Sequence, residues 1–87
     1  MASGTIDANS ETVGPVTNGR SGVAYQVDIT GTITVTLQAS LDGATWMTAT
    51  PAFTADAIGT HNIPGAAYRL IASGVTGGSA VCTLIAA

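Results

Sequence analysis

The chain has 87 residues, of which 46% are hydrophobic and 8% charged, and its net charge is −3 because five acids outnumber two arginines. The acidic balance opposes binding to a phosphate backbone, and no apolar run approaches the ~20 residues of a membrane helix, so neither nucleic acid nor a membrane is expected as a partner. Cys82 is the single cysteine, which excludes an intrachain disulfide framework and leaves no Cys/His cluster with zinc spacing.

Gly or Pro interrupts the chain roughly every ten residues, a spacing typical of short strands joined by tight turns. No stretch sustains the helical i, i+3, i+4, i+7 pattern of apolar residues, and the many threonines favour strands. We therefore predict an all-β fold, a small antiparallel β-sandwich or barrel of about six to eight short strands with essentially no helix.

The N-terminal segment, residues 1–22, is predicted to be partly extended or to form an arm. Within it we expect a short strand at 4–8, an edge segment at 12–16 that Pro15 ends, and a loop at 17–22. The first residues lack the basic flank and apolar run of a signal peptide, so synthesis in the cytoplasm is expected.

Residues 23–87 are predicted to form the β-sandwich domain. Strand 23–30 alternates, a turn follows at Gly31, and strand 32–41 carries the clearest period-two pattern in the chain. The side chains predicted to face inward are Val23, Tyr25, Val27, Ile29, Ile33, Val35, Leu37, Ala39 and Leu41.

The second half of the domain begins with a tight reversal at Asp42 and Gly43. Strands are predicted at 45–50, ended by Pro51, and at 59–63, ended by the turn at Pro64. Two further strands, 67–73 and 79–86, are expected to flank a turn at 74–78.

The last strand has apolar residues on both faces. Cys82 belongs to its inward set, whereas Val81 and Ile85 lie on the outward face. A strand that is apolar on both faces is covered on both, so we expect another strand or a neighbouring subunit over Val81 and Ile85, with Ile71 in part of that patch. Arg69 either pairs with an acid on another strand or subunit, or is solvated.

The sequence favours a protein that is not an enzyme. His61 has no second histidine and no nucleophile motif near it, and the acids do not form a calcium-loop pattern. We therefore predict no catalytic residue, no cofactor and no metal site.

Trp46 has two interpretations. It is the largest apolar side chain in the chain, so it either helps Leu41 to close one end of a thin core or is an exposed platform for a sugar ring or a protein. In the second case Asp42, Trp46 and His61 form a candidate recognition corner.

Two stretches together, GTITVTLQASLDGATW (31–46) and AAYRLIASGVTGGSAVCTLIA (66–86), resemble the small β-sandwich proteins of tailed-bacteriophage virions. The likeness lies in a strand, an S-x-D-G-x-x-W corner, a Y-R-hydrophobic strand and a final hairpin with T-G-G; it covers about residues 23–87. It implies a non-enzymatic structural protein on the outer capsid surface, most often a decoration (cement) protein that binds the assembled major capsid protein or other virion proteins.

Oligomerisation is expected on separate grounds. A chain of this length builds a thin core, yet its apolar content is high, so part of the apolar surface is expected to be covered by other subunits. A homo-oligomer is therefore predicted, with a trimer favoured. The alternative function is a tail- or fibre-associated recognition module or a small carbohydrate-binding β-sandwich.

Overall fold

The structure, a computed structural model, describes residues 1–18, 22–50 and 52–86. These residues form six antiparallel strands of one sheet, which confirms the predicted all-β class. The strands are β1 (Ala2–Ile6), β2 (Thr12–Thr17), β3 (Val23–Ser40), β4 (Met47–Thr48), β5 (Ala57–His61) and β6 (Ala67–Ala86). No helix in this part of the chain is long and apolar enough to span a membrane. Residues 19–21 of the predicted loop at 17–22, and Pro51 at the predicted end of strand 45–50, lie outside the described residues.

The centre of the sheet is the antiparallel ladder between β3 and β6. β1 pairs with residues 80–84 of β6, and β5 pairs with residues 23–27 of β3. We call this end of the ladder, with β1 and β5, the first half-sheet. At the other end β2 pairs with residues 67–71 and β4 with residues 38–39, and this end is the second half-sheet.

The ladder is folded over between the two half-sheets. A strand rises about 3.3 Å per residue, so the 20 residues of β6 would span about 66 Å if straight. The longest dimension of the molecule is 35 Å. Both long strands must therefore turn back, and the register shifts of the ladder fall around Thr32, opposite Thr76 and Gly77.

The turns predicted at Gly31 and at 74–78 are therefore wrong, because the strands continue through both places. Gly31, Gly74 and Gly77 do adopt the positive φ that a turn requires, with φ of 77°, 57° and 68°. Here that conformational freedom bends two paired strands together instead of ending them.

One hydrophobic core lies between the half-sheets. The inward residues predicted in β3 up to Ala39 are buried or half-buried, and Tyr68, Leu70, Ala80, Cys82 and Leu84 join them from β6. Two contacts cross the core: the rings of Tyr25 and Phe53 are 5.2 Å apart, and His61 contacts Tyr68. Phe53 bridges to Val35 of the second half-sheet, so each contact joins one half-sheet to the other.

The N-terminal residues are part of this fold: of the two predicted alternatives, partly extended or an arm, they adopt the extended one, as two strands of the sheet. β1 and β2 pair with β6, and Ile6, Val13 and Val16 are buried in the shared core. β2 continues through Pro15 to Thr17, which an edge strand permits because its outer side needs no backbone donor. The described part of residues 1–22 therefore does not stand apart from residues 23–86.

The prediction for Leu41 is also wrong, since 75% of this side chain is exposed. β3 ends one residue earlier, at Ser40, whose side chain is buried. The period-two pattern of apolar residues continues to Leu41, but β3 and its hydrogen-bonded pairing end at Ser40.

We predict that Gly78→Ala destabilises the protein by about 1–3 kcal/mol. A Cβ at Gly78 would overlap backbone atoms of Thr32, coming within 2.6 Å of its nitrogen. Gly4→Ala is the matched control in β1, since its Cβ would lie 3.9 Å from Val13 Cγ2, an ordinary contact, and its effect should stay within about 1 kcal/mol. Urea unfolding followed by far-ultraviolet circular dichroism measures both, and equal stability of the two variants would contradict the tight approach.

Candidate functional site

Asp42 organises the corner that follows β3. Its Oδ1 accepts hydrogen bonds from the backbone N–H groups of Ala44 and Thr45, at 2.9 and 2.8 Å, and from the hydroxyl of Ser40 at 2.9 Å. The Ser40 hydroxyl oxygen in turn accepts the N–H of Gly43 at 2.9 Å. Side chains thus satisfy the backbone donors of the turn, which is the usual role of Asp and Ser at such positions.

These donors also stabilise the carboxylate. The backbone N–H groups of Thr45 and Ala44, followed by the Ser40 hydroxyl, lower the pKa of Asp42 to about 2. Asp42 is exposed and stays ionised at neutral pH, and its carboxylate is the acceptor that stabilises the turn.

Trp46 lies outside the core, so of its two interpretations the one in which it helps to close one end of the core is wrong. It precedes Met47, which is paired with Ala39, so strand alternation directs Trp46 to the outer face of the second half-sheet. There the guanidinium carbon of Arg69 stands 4.5 Å from the centre of the indole ring. This is a cation–π contact, and it leaves Trp46 half-buried.

Arg69 has a second contact in the same place. Its Nε donates a hydrogen bond of 2.8 Å to Oε1 of Gln38, the residue opposite it in the β3–β6 ladder. The side chain is therefore held from two directions, by the ring of Trp46 and by the amide of Gln38. Within the described residues these contacts are with Gln38 and Trp46 and not with an acid, and the predicted pairing with an acid on another subunit stays a prediction.

His61 belongs to a different environment. Its Nδ1 lies 2.8 Å from the hydroxyl of Tyr68, and the two rings meet edge to face with centroids 5.6 Å apart. Tyr68 is fully buried, and this burial raises the pKa of its hydroxyl. Asp42, Trp46 and His61 therefore make separate contacts, to the turn, to Arg69 and to Tyr68 respectively.

The four candidate interface residues all lie on the outward side of β6, but the fold of the ladder separates them. Arg69 and Ile71 are on the outer face of the second half-sheet, where Ile71 is half-buried between Thr12 and Thr36 of the neighbouring strands. Val81 and Ile85, which are 53% and 38% exposed, are on the outer face of the first half-sheet. Each half-sheet thus has its own outer surface.

Ile58 is a surface residue that the sequence analysis missed. It is 79% exposed and lies on β5 opposite Gln26, which in turn is opposite Thr83. The predicted strand began at 59 and so omitted it. The register with β3 places Ile58 on the same outer face as Val81 and Ile85, with Gln26 of β3 and Thr83 of β6 between them.

An apolar groove beside the corner was also missed. It has a volume of about 370 Å³ and is lined by Ala39, Ser40, Leu41, Asp42, Thr45, Met47, Thr48, Ala49, Ile63 and Ala66. Leu41 and Met47, 75% and 66% exposed, form its rim. Leu41 and Met47 can be recognised in the sequence as apolar residues near the corner. That Ile63 and Ala66 line the same groove depends on the fold.

Two other predictions concern reactive side chains. Cys82 faces the core as predicted and is fully buried, and this burial raises the pKa of its thiol to about 11, so the protonated thiol packs as a small hydrophobic group. Within the described ranges no three His, Cys, Asp or Glu side chains are grouped so as to hold a metal ion.

Comparison with known proteins adds no relative. No family model, no curated protein sequence and no solved structure matches the chain.

Lowering the pH should decrease the free energy of unfolding of this protein, in part because Asp42 becomes protonated. The pKa of Asp42 in the folded state is about 2 and lies below its unfolded value, so the stabilisation is complete above about pH 4 and is lost as the pH falls toward 2. Asp42→Asn keeps an acceptor oxygen but cannot titrate. We expect the unfolding free energy of the wild type to fall more steeply than that of Asp42→Asn between about pH 4 and about pH 2.

Urea unfolding across this range measures both slopes. Asp7 and Glu11 titrate at low pH as well, but they are present in both proteins and cancel in the difference. Parallel pH profiles would show that the Asp42 carboxylate contributes nothing specific to the turn.

Proposed function

We propose that this chain is a non-enzymatic structural protein of a tailed-bacteriophage virion. It sits on the outer capsid surface as a homo-oligomer, with a trimer favoured, and it binds and stabilises the assembled lattice of the major capsid protein. The observation that carries the proposal is the set of apolar side chains exposed on the outer face of the first half-sheet, together with the sequence resemblance described above.

That outer face combines apolar residues with polar ones, among them Thr83, which lies between Val81 and Ile85 on β6. β5 contributes Ile58 and β6 contributes Val81 and Ile85, with Gln26 of β3 between the two strands. These three side chains are spaced by Gln26 and Thr83 rather than touching, and each can contribute apolar contacts to a surface that binds another protein. Two acids lie at this place: Asp28, opposite Val81 in the ladder, and Asp56, which lines the same groove as Asp28 and Ile58.

The edges of the sheet offer a second means of association. Among the residues that the structure describes, β1 pairs with β6 alone and β5 with β3 alone, so each presents an outer edge of backbone groups. Such edges accept a further strand from a partner, and the apolar side chains beside β5 would add side-chain contacts. Exposed apolar side chains and open edges together suit a protein that spans neighbouring capsid subunits.

The stabilising effect would follow from mass action. A protein that binds the assembled lattice and not its free subunits lowers the free energy of the lattice. No catalytic group is needed for this role.

The alternative, a glycan-recognition module built on Trp46, has less support. A sugar ring binds to an open aromatic face, but one face of the indole of Trp46 is occupied by the guanidinium of Arg69. His61, the other candidate contact, is directed to Tyr68.

The oligomer can be tested with the purified protein. We expect a trimer in sedimentation equilibrium, and we expect the double variant Val81→Thr with Ile85→Thr to raise the dissociation constant about tenfold or more, because apolar atoms leave the interface. Met47→Thr is the control, since this side chain is 66% exposed but lies on β4. A monomeric wild type, or equal effects of both changes, would argue against this face as the interface.

The capsid role needs particles that carry the protein. Particles stripped of it should lose resistance to heat, and adding back the wild type should restore resistance, because the protein stabilises only the assembled lattice. The Val81→Thr, Ile85→Thr variant should restore less. Resistance that does not change when the protein is removed would refute the cementing role.

A further inference from the structure

The outer face of the second half-sheet contains a guanidinium that is fixed in position. Arg69 is half-buried; its guanidinium carbon lies 4.5 Å from the ring centre of Trp46, and its Nε donates to Gln38 at 2.8 Å. An exposed arginine normally samples many rotamers, and binding a ligand then costs side-chain entropy. Here the contacts with Trp46 and Gln38 already restrict the Arg69 side chain, so binding a ligand would lose less side-chain entropy.

The contacts leave the end of the guanidinium available. Gln38 uses the Nε–H, and stacking uses a face of the group, so neither contact consumes the N–H groups on Nη1 and Nη2. These donors form a planar fork whose spacing matches the two oxygens of a carboxylate. Among the described residues, the Arg69 side chain makes one hydrogen bond, the one to Gln38.

The residues next to Arg69 on this face of the β3–β6 ladder are uncharged. Arg69 is the only lysine or arginine of the described residues, and its neighbours across the ladder and along β6 are Gln38, Thr36 and Ile71. A single negative charge would meet no acidic side chain among these neighbours. Ile71, which is half-buried, follows Arg69 by two positions on the same face of β6. It would pack against an apolar residue next to the acidic residue of the ligand.

We propose that Arg69 is a binding site for a carboxylate on the acidic side chain of a protein partner, with Trp46 and Gln38 as the residues that position it. The net charge of −3 favours a single carboxylate over a phosphate dianion. An acidic sugar is less suited, because its ring would need the indole face that Arg69 covers. The proposal does not rest on the virion assignment, since any partner with an exposed Asp or Glu qualifies.

The test uses two peptides that differ in one group, acetyl-Val-Asp-Val-amide and acetyl-Val-Asn-Val-amide. The fluorescence of Trp46, the single tryptophan of the chain, reports changes at the stacked guanidinium. At constant ionic strength we expect a saturable change with the Asp peptide, and binding of the Asn peptide weaker by about tenfold. Inorganic phosphate and glucuronate are titrated in parallel.

Two variants assign the effect to the fork. Arg69→Lys keeps the charge and most of the aliphatic stem but loses the planar fork, so affinity for the Asp peptide should fall about tenfold. Gln38→Met removes the acceptor for Nε at similar size and should reduce affinity less, by about threefold. Circular dichroism melting checks that both variants are folded, and the Asp–Asn comparison on the wild type is independent of either variant.

The proposal is overturned if the two peptides bind equally, if Arg69→Lys binds the Asp peptide as tightly as the wild type, or if phosphate or glucuronate binds more tightly than the Asp peptide. The last result would assign the fork to another class of ligand. Failure of the capsid experiment would leave the peptide result standing, so the two proposals fail independently.

Discussion

The close approach of the two long strands where they bend is the constraint on which the rest of the structure depends. At Gly78 there is no room for a Cβ, because the backbone of Thr32 fills that space. This contact lets β3 and β6 turn back together while their ladder continues on both sides of the bend. The two half-sheets then face each other, and one core forms between them with Tyr68 reaching His61 across it. A small chain thereby obtains a two-layered core from a single sheet.

Local alternation predicted the inward residues of β3 and β6, because side-chain period in a strand depends only on the backbone conformation of the strand itself. It did not distinguish a turn from a bend. Gly31 and Gly77 adopt positive φ, which suits both a hairpin turn and a bulge within a continuing ladder. The choice between them depends on whether distant residues remain paired, as Thr30 does with Ser79 and Thr34 with Ser73. That information is not contained in either short stretch.

The corner after β3 illustrates a second limit. The turn chemistry of Asp42 was predictable, since Asp and Ser bond nearby backbone donors in many turns. The side on which Trp46 lies was not, because it follows from the pairing of Met47 with Ala39, and its contact with Arg69 joins residues 23 positions apart in sequence. Leu41 continues the alternation of β3 beyond the end of the strand, so its pattern is apolar while its side chain is exposed. Pattern alone cannot locate the residue at which the hydrogen-bonded ladder stops.

The fold of the ladder has a consequence for assembly. Outward residues of β6 that would share one face of a flat sheet are divided between two outer surfaces, one with Arg69 and Ile71 and one with Val81 and Ile85. A two-fold dimer needs one self-complementary patch, whereas a ring of three needs two different patches that fit each other. The two surfaces differ in charge, since Asp28 stands beside Val81 and Arg69 marks the other. In the proposed trimer a contact between unlike surfaces would bring Arg69 and Asp28 into one interface, with opposite charges. In a two-fold dimer a contact between two copies of the first surface would bring both copies of Asp28 into one interface, with like charges.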